Sequence, residues 1–135
     1  MITKQIDKFK ADTTVFGSSI INRNNWSYGI TDLITEIAES NSSVIKPKIS
    51  DCERLQNEII KYKPKVCILL HSKVLDNFIP YLGKSVPKSN FGKMGKIIKG
   101  CDSMIFNIAF PHGNTIKSID KVRQYKDVIN YLENN

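Results

Sequence analysis

The fold is decided by the stretch Ile105–Thr115, which reads Ile-Phe-Asn-Ile-Ala-Phe-Pro-His-Gly-Asn-Thr. Its apolar first half predicts a buried strand, and its Pro-His-Gly-Asn part predicts a loop before a long amphipathic segment. Open α/β folds bind ligands in loops at the carboxyl ends of their strands. We therefore expect the rest of the chain to be the scaffold that presents this loop.

Apolar and β-prone runs predict the strands of a sheet. Met104–Ala109 and Lys65–Leu70 have the continuous apolar character of strands that are buried on both faces. Thr13–Phe16 is a shorter β-prone run that ends at a Gly-Ser-Ser turn. A short strand or helix is also expected at Ile97–Ile98.

Apolar residues at helical spacing predict three helices, after a short N-terminal one at Ile2–Phe9. Ser50, Ser72 and Ser118 are their expected N-caps, with Glu53 completing a capping box. The residues expected to face the core are Cys52, Leu55, Ile59 and Tyr62 in the first, Val74, Leu75, Phe78, Ile79 and Leu82 in the second, and Ile119, Val122, Tyr125 or Lys126, Ile129 and Leu132 in the third. Strands that alternate with helices predict one α/β domain over residues 1–135, with three α/β/α layers and a mostly parallel central sheet.

Composition narrows the class of protein. The chain has 135 residues and a net charge of +7, which either attracts polyanions or reflects a lysine-rich surface encoded by an AT-rich genome. The three cysteines are widely spaced and form no metal-binding motif, so we expect reduced thiols, no metal and no cofactor. No apolar run approaches the ~20 residues of a membrane span. These features together predict a cytoplasmic protein that does not insert into membranes.

The Pro-His-Gly-Asn loop holds the strongest candidate residues. His112 at its tip is suited to donating a hydrogen bond or moving a proton, and Gly113 allows a close backbone approach to a ligand. Asn114 is suited to capping or to bonding a phosphate. An ordinary turn explains the same residue types, and that alternative stays open. His71, at the end of the other buried run, either faces the same crevice or simply closes its strand.

Two further groups of residues have a functional and a structural interpretation. Asp32 is either a carboxylate that acts in catalysis or reads a base, or the N-cap of a helix. Thr31 is also suited to the N-cap position. Tyr28 is suited to stacking on a base, although such aromatics are more often part of a core or its rim. The lysine-rich segment Lys84–Lys99 is suited to contacting a phosphate backbone, or is a solvated loop.

Three pieces of sequence in this order resemble the uracil-DNA glycosylase superfamily, in particular its mismatch-specific uracil/thymine branch. Tyr28–Ile34, which reads Tyr-Gly-Ile-Thr-Asp-Leu-Ile, is similar to the family's Gly-Ile-Thr-(Asn/Asp/Lys)-Leu-Val segment. Pro64–Leu70 resembles its Pro-x-Val-hydrophobic strand. Phe110–Asn114 lies where the family carries a His-Pro-Ser or Asn-Pro-Ser loop. The resemblance spans roughly residues 13–132 through short motifs, so its weight lies in their order and spacing.

The resemblance implies a monomeric DNA-repair enzyme that flips a damaged or mismatched base out of double-stranded DNA and cleaves its N-glycosidic bond. Asp32 would take the family's base-reading position, and His112 would stabilise the negative charge of the departing base. The loop backbone would hold a phosphate. The residues expected to contact the base or the DNA are Tyr28, Thr31, Pro111, Gly113, Asn114, Lys93 and Lys96.

The chain departs from the family in its first motif. A Gly-x-(Asn/Asp)-Pro-(Gly/Ser/Tyr) sequence is expected upstream of Gly29, and Asp12 there lacks the glycine and proline. The alternatives are a truncated or degenerate glycosylase, an inactive nucleic-acid-binding module of the same fold, and an unrelated α/β domain that binds a small phosphorylated ligand.

Overall fold

The computed structural model describes residues 22–35, 46–87, 91–111 and 113–135. They fall in two compact units that divide after Thr35. The described part of the first unit, residues 22–35, contains a short 3-10 turn at Arg23–Asn25 and an irregular segment up to Thr35. No helix forms within residues 26–35, so the interpretation of Thr31 or Asp32 as a helix cap is wrong.

The second unit is an α/β fold, as the sequence predicts. Its described elements are α1 (Ile49–Tyr62), β1 (Val66–Leu69), α2 (Ser72–Tyr81), β2 (Gly92–Gly95), β3 (Met104–Asn107) and α3 (Ser118–Asn134). The described sheet has the order β1-β3-β2, with β1 parallel and β2 antiparallel to β3. This part of the sheet is therefore mixed. The predicted helix 2–9 and strand 13–16 lie outside the described residues, so the three-layer, mostly parallel arrangement stays a prediction.

Strand β3 is the centre of the described sheet, and all four of its residues are buried. Met104, Phe106 and Ile108 form one core cluster with Val128 of α3. Ile105, which is fully buried, points to the opposite face because side chains alternate along a strand. By contrast, three of the four β1 residues are only partly buried, because β1 is an edge of the described sheet.

The predicted N-caps are each displaced by one or two residues. α1 begins at Ile49, and the Asp51 carboxylate accepts a hydrogen bond from the Lys48 backbone N–H at 2.7 Å, so the Ser50–Glu53 box is wrong. His71, instead of Ser72, caps α2 through its side chain. Lys117 occupies the cap position expected for Ser118.

Three apolar residues assigned to the core are exposed, namely Tyr62, Ile119 and Val122. On α3 the buried residue is Val128 instead of Ile119 and Val122. Tyr125, Tyr131 and Leu132 of the same helix are partly buried against the core. The buried stripes of α1 (Cys52, Leu55, Ile59) and α2 (Leu75, Phe78, Ile79) agree with the prediction. The expected element at Ile97–Ile98 is absent, and the short strand of this region is β2, with a bulge between Lys93 and Gly95.

Candidate functional site

The carboxyl ends of β1 and β3 lie side by side because the two strands are parallel neighbours. The Ile108 N–H donates to the Leu69 carbonyl at 3.0 Å, which extends the pairing to the last residues of the sheet. Just beyond, the rings of His71 and Phe110 meet edge to face, with centroids 5.7 Å apart and planes at 76°. The two strand exits therefore form one continuous edge, which we call the carboxyl edge.

A side chain from α3 ends the pairing of β3 and sets the start of its loop. The Ala109 N–H donates to Oε1 of Gln124 at 2.8 Å. Ala109 is buried, so this bond satisfies a donor that would otherwise lose its hydration without compensation. The loop thus leaves the sheet from a position that α3 fixes.

The loop itself is organised by Asn114. Its Nδ2 donates to the Phe110 carbonyl at 2.7 Å, and its Oδ1 accepts from the Ile116 N–H at 3.2 Å. Gly113 has φ +73°, a left-handed conformation that glycine adopts without steric cost. Nζ of Lys121 donates to the Pro111 carbonyl at 3.0 Å. Local bonds therefore shape the loop backbone while Pro111, Gly113 and Asn114 stay exposed.

His71 caps a helix, and the hydrogen bond of this cap determines which ring nitrogen is left to donate. Its Nδ1 accepts a hydrogen bond from the Lys73 N–H at 3.1 Å at the start of α2. A neutral ring that accepts at Nδ1 carries its proton on Nε2, so that nitrogen is a donor. His71 thus closes its strand, caps a helix and contributes a donor group at the carboxyl edge.

The structure brings together only part of the predicted site. Pro111, Gly113 and Asn114 share the loop, whereas His112 lies outside the described residues. Tyr28, Thr31 and Asp32 belong to the first unit. There Thr31 and Asp32 are exposed, and burial raises the pKa of the Tyr28 hydroxyl, an effect that the Arg23 guanidinium partly opposes.

The two predicted DNA-binding lysines have different surroundings. Lys93 pairs with Phe106 in the sheet, and its Nζ lies 5.0 Å from the centre of the Tyr131 ring on α3. A cation over an aromatic face is attracted by the ring, so Lys93 has a packing role in addition to its charge. Lys96 instead lines a cavity with Lys84 and Lys99.

The described ranges contain one partly buried thiol with a strongly raised pKa, Cys67, and no cluster of metal ligands. Burial raises the pKa of the Cys67 thiol to about 11, and the nearby Cys101 adds to the rise. A protonated thiol is a poor nucleophile. No group of three or more His, Cys, Asp and Glu side chains within residues 22–35, 46–87, 91–111 and 113–135 is placed to hold a metal ion.

Two residues that shape the loop, Gln124 and Lys121, were not identified from the sequence. Both lie in the first turns of a helix assigned only by its apolar spacing, and a polar residue on such a helix carries no mark of its long-range partner.

Comparisons with models of known families, with curated proteins and with solved structures found no match to this chain. None of the described helices is both long and apolar enough to cross a membrane.

Proposed function

We propose that this chain binds DNA at its carboxyl edge and acts as a DNA glycosylase on an extruded, uracil-type base. The observation that carries the proposal is the parallel pairing of β1 and β3, which puts His71 beside a loop whose backbone is already shaped by Asn114. A ligand that binds a preformed loop pays little ordering entropy. The net charge of +7 favours the encounter with a polyanion.

The chemistry that this edge offers suits the reaction. Cleavage of an N-glycosidic bond leaves negative charge on the departing base, which a nearby hydrogen-bond donor stabilises. His112 takes this role in the proposal. His71 is the second donor of the same edge through Nε2, and the exposed backbone at Gly113 and Asn114 contacts the phosphate that flanks the flipped nucleotide.

The test is an excision assay on duplex oligonucleotides that contain uracil, a thymine mismatch or hypoxanthine at one position. After incubation, alkali cleaves the strand wherever a base has been removed. We expect strand scission with at least one substrate and none with an undamaged duplex. Absence of scission with all three substrates, at protein in excess over DNA, would refute the enzymatic part of the proposal.

Two asparagines provide a matched pair for the loop. Asn114 and Asn134 are both exposed, and each donates from Nδ2 to the carbonyl four residues earlier at 2.7 Å. We expect Asn114→Ala to reduce excision and DNA binding, and Asn134→Ala to change neither. Equal effects of the two substitutions on excision and DNA binding would show that the loop does not contact DNA.

The second candidate is a nucleic-acid-binding module without catalysis. It is favoured because residues 1–28 contain no Gly-x-(Asn/Asp)-Pro sequence. Its signature is binding that weakens steeply with salt, as counterion release requires, but no scission of any modified duplex. That outcome would keep DNA binding at the carboxyl edge and discard the glycosylase reaction.

A further inference from the structure

A cavity of about 560 Å³ lies apart from the carboxyl edge. It is lined by Gln56 of α1, by the end of α2 and the turn that follows, and by the connection between β2 and β3; these residues are Gln56, Tyr81, Leu82, Lys84, Lys96, Ile97, Ile98 and Lys99. β2 runs antiparallel to β3, so the chain leaves Gly95 towards the start of β3. Ser103, just before β3, donates to the carbonyl of Pro64, just before β1, at 2.5 Å. The cavity therefore lies towards the amino edge of the parallel strands.

The walls of the cavity are built on fixed backbone. Beyond α2, the N–H groups of Leu82, Gly83 and Lys84 donate to the carbonyls at the helix end. On the other wall, Ile98 is buried and its carbonyl accepts from the Cys101 N–H at 3.1 Å. The three lysines of the cavity thus belong to turns whose backbone is anchored by hydrogen bonds.

The cavity is strongly cationic. Lys84, Lys96 and Lys99 are three of its lining residues, and no carboxylate is among the described residues that line it. Across the described ranges, none of these lysines forms an ion pair. The carbonyls of Phe78, Ile79 and Pro80 at the end of α2 already accept backbone N–H groups, so they do not need a lysine as a hydrogen-bond donor. Like charges around one cavity repel one another, and an anion bound among them offsets that repulsion.

The floor of the cavity adds a hydrogen-bonding group to these charges. The Tyr81 hydroxyl donates to Oε1 of Gln56 at 2.9 Å, and the Tyr81 ring stacks on Phe78. This bond uses the carbonyl of the Gln56 amide, whose NH₂ group is a donor. A volume of this size is within the usual range for small-molecule sites.

We propose that this cavity is a second anion site, which binds a ligand carrying two or more phosphate groups. Several phosphates match several ammonium groups, whereas a single carboxylate leaves most of the charge unpaired. The site is independent of base excision and stands whether or not the glycosylase reaction is found.

Isothermal titration with inorganic tripolyphosphate tests the proposal. A triple variant, Lys84→Gln, Lys96→Gln and Lys99→Gln, is compared with a control triple, Lys61→Gln, Lys65→Gln and Lys126→Gln, whose three lysines are also exposed. Each triple removes three charges and lowers the net charge from +7 to +4. We expect the first to weaken binding by about 10-fold or more and the control by less than about threefold, because only local charges contact the ligand. Equal weakening, or no binding by the wild type at low salt, would overturn the site.

Two further arms identify the source of the phosphates and separate this site from the carboxyl edge. ATP and a single-stranded oligothymidylate are each titrated against both triples. If the first triple loses affinity for ATP but not for the oligonucleotide, the ligand of the cavity is a free nucleotide. If it loses affinity for the oligonucleotide but not for ATP, the ligand is a nucleic-acid backbone. Asn114→Ala should leave tripolyphosphate affinity unchanged, so a failure of the proposed function is distinguishable from a failure of this site. Far-ultraviolet circular dichroism establishes that each variant is folded.

Discussion

The imidazole of His71 and the ring of Phe110 meet edge to face at 5.7 Å, and this contact joins the exits of two parallel strands. His71 lies between β1 and α2 as the N-cap of α2, whereas Phe110 begins the loop after β3. The contact therefore couples the start of a helix to the proposed DNA-binding loop.

A double-mutant cycle measures this coupling. Asn is a good N-cap residue, so His71→Asn keeps an acceptor for the Lys73 N–H and removes the ring contact. We expect a coupling free energy with Phe110→Ala of about 0.5–1.5 kcal/mol in urea unfolding, as for aromatic pairs elsewhere. Phe91→Ala is the control, because Phe91 and Phe110 are both 43% exposed. A coupling of His71 with Phe91 as large as that with Phe110 would contradict the assignment.

The bond between Gln124 and Ala109 gives a second prediction. Gln124→Ala leaves a buried N–H without an acceptor, so the free energy of unfolding should fall by about 1–3 kcal/mol. Gln124→Glu retains an oxygen acceptor and should lose much less. Hydrogen exchange at the Ala109 amide should accelerate only in the alanine variant. Unchanged exchange there would show that Gln124 does not hold the end of β3.

Gly113 tests the shape of the loop. At φ +73° an alanine is strained even though no atom lies within 4 Å of its added Cβ. Gly113→Ala should therefore cost about 1 kcal/mol of stability and weaken DNA binding. Gly29→Ala is the matched control for stability, because it also meets no atom within 4 Å and lacks a positive φ. If Gly113→Ala lowered the free energy of unfolding no more than Gly29→Ala, the loop would not require its left-handed residue.

The raised pKa of Cys67 predicts a dependence of stability on pH. Well below its ordinary pKa of about 8.5 the thiol is protonated in both the folded and the unfolded chain. As the pH rises from about 9 to about 11, the unfolded thiol ionises while the partly buried thiol of the folded chain keeps its proton, so folding stability falls. The loss reaches about 3 kcal/mol at most. Urea unfolding of wild type and Cys67→Ala should show a shallower decline for the variant over this interval, and parallel declines would contradict the shift.

Most of the strands and helices were predictable because an element with a buried face carries apolar residues at a regular spacing. Met104–Asn107 is buried throughout and was recognised from its continuous apolar run. β2 was missed because it consists of Gly-Lys-Met-Gly, whose pairing with β3 is a tertiary contact and not a local preference. Tyr62, Ile119 and Val122 were assigned to the core because apolar spacing does not show which end of a helix lies over the sheet.

The loop could be located from sequence, but the bonds that shape it could not. Pro111, Gly113 and Asn114 were identified by turn chemistry, which is local. The contacts of Gln124 with Ala109 and of Lys121 with Pro111 span 15 and 10 residues, and depend on how α3 packs. The cavity lined by Lys84, Lys96 and Lys99 likewise lies between turns that are separated along the chain. The sequence alone indicates only that the segment Lys84–Lys99 is suited to contacting phosphate.

The most direct test of DNA binding at the carboxyl edge is a nuclear magnetic resonance titration of labelled protein with a short uracil-containing duplex. We predict that the largest amide shift changes fall on Gly113, Asn114 and Thr115, and that these changes disappear in Asn114→Ala but persist in Asn134→Ala. Shift changes confined to other surfaces, with the amides of this loop unmoved at saturating DNA, would contradict the account.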